Sequence, residues 1–312
     1  MATTTKPRRT LAQTKRDFPT DDACKAHLVA MRWPDGVRCP RCGEAKRVYA
    51  LRTRPFHWVC NNPSEACPGV YRFSVLTGTV FENTNVPLRT WFEVLFLMTQ
   101  SKKGISALQI HRMIDPVRGK KGSYKTAWYM CHRIRAAMKD GDFLGKLAGE
   151  IEVDEAYIGG KNKNRHAANR KHGKGDKIPV VGAIARKGNV VCQMIDRASA
   201  ATLTGFVRNV VSDKVSLIAT DENPAYHRLA HYSMGKTMGL PHESVNHSKG
   251  EYVRGNVHTA NLDSFWSLLK RGIIGTYHKV SAEHLPLYLN EFSWRHNHRA
   301  DPDIFDAALR GC

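Results

Sequence analysis

Along the first half of the chain apolar residues recur at helical spacing, and from Gly149 onward they alternate with polar ones or run together. Between Asp21 and Arg32, the residues Ala26, Leu28 and Val29, with Trp33 beyond, supply one apolar face, and Asp21 or Thr20 stands where a helix N-cap is wanted. Val86-Pro87-Leu88 leads into a second helix through Met98, with Pro87 in the first turn, where its missing N–H is tolerated. Lys102 to Ser106 introduces a third helix, Ala107 to Ile114. After a loop rich in Gly and Lys, Arg118 to Gly122, Ser123 or Tyr124 starts a fourth, through about Met138. The run Trp91 to Met98 is far shorter than the roughly 20 apolar residues that span a bilayer and carries Glu93, so it reads as a core helix.

Beyond Gly149 the period changes to two. Glu150 to Ile158 alternates as a half-buried strand does, Ile178 to Ala185 and Val190 to Ile195 are strands joined by a turn at Arg186 to Asn189, a helix runs from Ala200 to about Val211, and the apolar strand Val215 to Thr220 ends at Asp221. A last helix covers about Leu262 to Arg271. Three antiparallel strands, a helix, a further strand and a later helix is the order of an RNase H-like fold. The expected class is therefore α/β, an RNase H-like domain preceded by a cysteine-bearing ribbon and a helical region. The expected division is a disordered basic arm over 1–20, the cysteine module over 21–82, the helical region over 83–145, the RNase H-like domain over 146–300 and a tail over 301–312.

Charge adds a partner. The 48 Lys and Arg against 28 Asp and Glu give a net charge of +20, an excess that attracts polyanions and points to nucleic acid. Lys125, His132, Arg133 and Arg135 on the fourth helix, which follows two others joined by short turns, give that region the look of a helix-turn-helix reading head; an ordinary three-helix subdomain with a basic face is the alternative. The N-terminus is basic with no apolar segment behind it, which fits no secretory signal and suits a bacterial cytoplasm.

Four of the eight cysteines crowd between Cys39 and Cys67. Cys39-Pro-Arg-Cys42-Gly43 is a knuckle whose turn aims backbone amides at the sulfurs and suits tetrahedral Zn2+. Cys60 and Cys67 are separated by six residues, wider than usual, but Asn, Pro and Ser between them allow a looped second knuckle. The expected structural zinc ligands are Cys39, Cys42, Cys60 and Cys67, with His57 a possible substitute; Cys24, Cys131, Cys192 and Cys312 lack paired spacing and read as ordinary thiols.

The acids carry the candidate chemistry. Asp154 lies within the first strand of the second half, Asp221 ends the fourth, and those strands are neighbours in an RNase H-like sheet, so the two carboxylates converge. Asp263 falls in the first turn of the late helix, and Lys270, seven residues on, shares its face. Three carboxylates are the hard ligands that Mg2+ or Mn2+ prefers, and two such ions about 4 Å apart activate an attacking oxygen and steady the leaving one.

Several segments resemble zinc-ribbon insertion-sequence transposases of the ISXO-like group. They are C-P-R-C-G, V-D-E-A-Y-I-G-G-K (Val153 to Lys161), T-D-E-N-P-A-Y (Thr220 to Tyr226) and V-N-H-S-K-G-E-Y-V (Val245 to Val253). The longest are H-T-A-N-L-D-S-F-W-S-L-L-K-R-G-I-I-G-T-Y-H (His258 to His278) and L-N-E-F-S-W-R-H-N-H-R (Leu289 to Arg299). The resemblance implies DNA cutting and joining at terminal inverted repeats, Asp154, Asp221 and Asp263 as metal ligands, Lys270 as phosphate contact, and a homo-oligomer on terminal and target DNA. The family more often carries Glu, or in a relative group Asn, as its third member. Asp263 is a methylene shorter, which leaves Asn261 and Glu251 as alternatives and keeps open a catalytically inactive DNA-binding derivative. A general RNase H-like nuclease is the third reading.

Overall fold

The computed structural model describes residues 9–114, 122–139, 146–159, 177–229 and 240–312. The chain divides into two compact units, Met1–Met138 with Ala300–Cys312, and Lys139–Arg299. Arg118 to Lys121 of the expected loop, the first eight residues of the arm, and Gly160-Lys161 of the V-D-E-A-Y-I-G-G-K segment lie outside the described residues.

In the first unit α1 (Leu11–Asp17) replaces the second half of the arm expected to be disordered. Thr10 and Gln13 form a reciprocal capping box, and Phe18 at its end packs edge-on against Phe92 at 4.9 Å. Thr20 caps α2 (Asp21–Arg32), accepting from the amide of Ala23. A three-stranded antiparallel ribbon follows, β1 (Val48–Ala50), β2 (His57–Cys60) and β3 (Tyr71–Ser74). Then come α3 (Leu88–Gln100), α4 (Ala107–Met113) and α5 (Tyr124–Ala137). Pro87 stands at the N-cap of α3 rather than inside its first turn, and Ser123 caps α5.

The expected C-terminal tail is also a helix, α9 (Ile304–Gly311), and belongs to this first unit. Its apolar residues Ile304, Phe305, Ala308 and Leu309 are buried, Phe305 lies 5.8 Å from Phe92, and Asp306 pairs with His27 at 3.1 Å. The short I-F-D-A-A-L pattern is amphipathic, and only a distant partner gives it something to bury against.

The second unit is built on a sheet of β4 (Leu147–Ile158), β5 (Ile178–Ala185), β6 (Val190–Met194), β7 (Val211–Thr220) and β8 (His242–Ser244) in the order β6-β5-β4-β7-β8. β4, β5 and β6 are antiparallel, whereas β7 is parallel to β4 and β8 to β7. This is the RNase H-like arrangement. Alternation along β4 splits the core in two. Ile151 and Val153 face a cluster with Leu203, Phe206 and Val207 of α6 (Ala200–Val210). Ala156 and Ile158 face one formed with Leu262, Phe265 and Trp266 of α7 (Ala260–Gly272) and Leu289 and Phe292 of α8 (Leu285–Asn297). Much of the Leu289–Arg299 motif is scaffold. Glu291, buried, pairs with Arg295, and Asn297 exchanges hydrogen bonds with the backbone of Val190 on β6. No described helix is long and apolar enough to cross a membrane.

Candidate active site

The sulfurs of Cys39, Cys42, Cys60 and Cys67 lie within 4.8 Å of one another. Cys39 Sγ is 3.6 Å from Cys67 Sγ, and Cys42 Sγ is 3.7 Å from Cys60 Sγ. A disulfide needs about 2.05 Å. Four thiolates around Zn2+ at about 2.3 Å stand roughly 3.8 Å apart, so the donor set fits tetrahedral zinc. Gly43 at φ +75° turns the first knuckle, and the amide of Glu44 is the chief cause that draws the Cys42 thiol down to about 6. The wide second knuckle is closed by Cys67, whose amide donates to the carbonyl of Ser64 at 2.9 Å. His57 occupies the opposite end of β2 from Cys60 and is not in this group. Trp33, Trp58, Tyr71 and Phe73 pack round the sulfurs, while Arg38, Arg41, Lys46, Arg47, Arg52 and Arg54 are exposed.

The basic residues expected to read DNA from α5 divide. Lys125 is exposed, as are Tyr124 and Tyr129, but His132 and Arg135 are buried. Arg133 donates to the carbonyls of Glu82 and Thr79. Burial overturns a DNA-facing role for His132 and Arg135, because both turn inward although they share a helix with the exposed Lys125.

In the second unit, parallel pairing of β4 with β7 puts Val153 opposite Thr220, so Asp154 and Asp221 follow side by side. Their carboxylates, with that of Glu155, offer oxygens within 4.8 Å of one another. Asp263 is not among these mutually close acids. It is exposed in the first turn of α7, accepts from Thr259 Oγ1 at 3.1 Å, and is near enough for its charge to act on Asp154. Burial first, then the charges of Asp221, Glu155 and Asp263, push the Asp154 carboxyl up to about 7. Among the described residues the side-chain donor to Asp154 is Trp266, whose indole N–H reaches Oδ2 at 3.1 Å. Carboxylate oxygens gathered this closely, with like charges bearing on Asp154, suit a hard divalent cation.

Lys270 and Asp263 line one open cavity of about 500 Å3, with Trp266, Ser267 and Arg271 of α7 and Ile274 and Gly275 of the π-helical turn that continues it. Their spacing thus delivers them to one surface, as the helical period requires.

Three participants escaped sequence reasoning. Glu155 reaches the turn after β7, where Asn223 Nδ2 and Tyr226 Oη donate to it at 2.6 and 2.5 Å. Asn223 in turn donates its amide to Asp221 Oδ1, so Glu155 braces the Asp221 turn. Gly182 pairs with Asp154 across β5, and a Cβ there would lie 2.7 Å from Trp266 Cζ2. An isolated Gly inside a strand was the available signal that something approaches closely. Glu152, fully buried, is the third, and it takes both the amide and the side chain of Asn261. That turns the Asn261 side chain toward Glu152. Glu251, the other alternative acid, accepts the amide of Asn246 in its own loop.

A family model for an ISXO2-like transposase domain matches residues 146–297, and one for a transposase zinc-ribbon domain matches residues 19–67. An uncharacterized protein in transposable element ISH50 of Halobacterium salinarum is 30% identical over 283 residues, 86% of this chain and 88% of that protein. The chain belongs to the ISXO2-like transposase family. The transposase zinc-ribbon match runs through Cys67 and so spans all four clustered thiols. The transposase-domain match spans Asp154, Glu155, Asp221, Asp263 and Lys270. As an insertion-sequence transposase with both domains, the chain is a DNA-binding protein whose two ligand clusters suit zinc and a divalent cation.

Proposed function

We propose that this transposase cleaves and joins DNA at the terminal inverted repeats of its element, with Asp154, Asp221 and Asp263 holding Mg2+ or Mn2+ and Lys270 holding a phosphate. The observation that carries the reading is the convergence of Asp154 and Asp221 from neighbouring parallel strands, with Trp266, the indole donor to Asp154, lining a cavity shared with Asp263 and Lys270. A pair of divalent ions supplies activation of the attacking oxygen and charge stabilisation at the leaving one.

The chain's own groups do the positioning. Trp266 holds one oxygen of Asp154 and covers that side of the carboxylate. Asn223 fixes Asp221 in its turn. Lys270, exposed on the face it shares with Asp263, offers an ammonium to a non-bridging phosphate oxygen. The basic ribbon supplies backbone attraction to DNA, and two copies bridging two ends make the active assembly.

The test is strand transfer by the purified protein with Mg2+ or Mn2+ and a fragment carrying the flanking inverted repeats. Wild type is run beside Asp154→Ala and Asp263→Ala. Joined product from wild type and from neither variant supports the reading, and product retained in Asp263→Ala removes that residue from the ligand set. A second reading, an inactive DNA-binding derivative, draws on the exposed Asp263 standing outside the mutually close acids. Firm end binding without any product would favour it.

A further inference from the structure

Glu152 lies two residues before Asp154 on the same face of β4, and its side chain is fully buried. A buried carboxylate needs compensation, and Glu152 is surrounded by it. Oε2 accepts from the backbone amides of Asn261 at 2.8 Å and Leu262 at 3.0 Å, and Oε1 from Asn261 Nδ2 at 2.7 Å and Arg186 Nε at 3.1 Å. His258 Nδ1 stands 3.2 Å from Oε1. The two amides belong to the first turn of α7, the helix that carries Asp263 and Lys270.

A helix N-terminus ordinarily has these donors satisfied by the side chain of its own cap residue. In α7 the cap is Thr259, and its side chain makes no capping bond. It donates to Asp263 Oδ2 instead. Arg186 meanwhile pairs with Glu150 and donates to the carbonyl of Asn256, tying the strand to the segment that enters the helix.

We propose that Glu152 is a positioning residue that caps α7 from β4, setting the depth of the helix and releasing Thr259 to orient the Asp263 carboxylate toward Asp154 and Asp221. The proposal rests on the reading of Asp263 as a metal ligand. Glu152 touches neither metal nor DNA; it acts through Asp263. Without it, the Thr259 hydroxyl turns to the vacant amides, as cap hydroxyls do, and lets Asp263 go.

The test is Mn2+ affinity, measured by calorimetry on the full chain, together with strand-transfer rate against Mn2+ concentration. Glu152→Gln should weaken Mn2+ binding about tenfold or more, the range seen when a ligand loses its outer partner. Its strand-transfer loss should be recovered at saturating Mn2+, whereas that of Asp263→Ala should not. Placed on Asp263→Ala, Glu152→Gln should add no further loss of affinity. An additive loss, or wild-type affinity in folded Glu152→Gln, would overturn the proposal. Unchanged affinity in Asp263→Ala alone would instead overturn the ligand reading on which it rests. If Glu152→Gln does not fold, Thr259→Val, which leaves every bond to Glu152 in place, should show the same weakened, Mn2+-recoverable behaviour; full affinity there would overturn the proposal equally.

Discussion

The cysteine cluster of the first unit and the acidic cluster of the second both gather metal-ligating atoms to within 4.8 Å, but from very different distances along the chain. Cys39 to Cys67 belong to one small ribbon, and the knuckle at Cys39–Gly43 is shaped almost entirely by its own turn. Asp154 and Asp221 meet only because β7 pairs in parallel with β4, and Asp263 approaches only because α7 packs across the same strand. The surroundings differ in the same sense. Aromatic rings close round soft sulfur in the ribbon, whereas Trp266, the donor to Asp154, lines an open cavity with Asp263 and Lys270. A structural site is built closed and local; a site that must admit a substrate is left open and is assembled by the whole fold.

If that contrast holds, damage to either cluster should leave the other's property intact. The largest effect is expected from Asp154→Ala or Asp221→Ala, which should abolish joined product while an electrophoretic shift shows DNA still bound. Next comes the ribbon. In small zinc domains the binding energy of the ion is folding energy, so a strong chelator or Cys39→Ser should melt β1–β3 and weaken end binding. Metal-dependent joining of preformed ends should be less affected, and equal loss of both activities would break the comparison.

Gly182→Ala is a smaller and sharper probe. Its Cβ would meet the Trp266 ring at 2.7 Å, and overpacking of this kind costs about 1–3 kcal/mol. A calorimetric melt should fall, and joining should fall with it, because Trp266 holds Asp154.

The acid cluster should also carry a pH signature of its own. The folded Asp154 carboxyl sits at about 7, above its ordinary range, so the native state binds that proton more tightly than the unfolded chain does. In metal-free protein its contribution to stability is therefore full in acid and is lost as pH rises through about 7. Asp154→Asn should raise the melting temperature at pH 8 and lose that advantage below about pH 4, where the wild-type carboxyl is protonated in both states. Saturating Mg2+ should reverse the ranking at pH 8. The mildest change is expected from Lys270→Ala: slower joining, and a salt dependence of DNA binding whose log–log slope shrinks by about 1, as when one phosphate contact is removed.

Much of this was legible beforehand because periodicity and spacing are local properties. The strand from Glu150 to Ile158, the hairpin at Arg186 to Asn189 and the helix carrying Asp263 and Lys270 all stand where alternation and helical period put them. What the pattern missed were short pieces with distant partners. α9 has too few residues to declare itself without Phe92 to pack on, and α1 was hidden in a basic arm whose capping box went unread. His132 and Arg135 share a charge type with Lys125, yet which side of α5 is covered depends on what packs against it.

The sequence by itself determined the two clusters' chemistry: four thiols at knuckle spacing, acids on a strand, at a strand end and on a helix, and a net charge of +20 that favours a polyanion. Residue type and local spacing are enough for that, since they set ligand hardness and which side chains share a face. Only the tertiary structure decided how the neighbouring acids of β4 divide. Asp154 is left with an indole donor and three like charges, Glu155 is turned to the Asp221 turn, and Glu152 is buried against the first amides of α7. The reason is physical: the cost of a buried carboxylate depends on which donors surround it, and those donors arrive from Arg186, Asn223, Asn261 and Trp266, all distant in the chain.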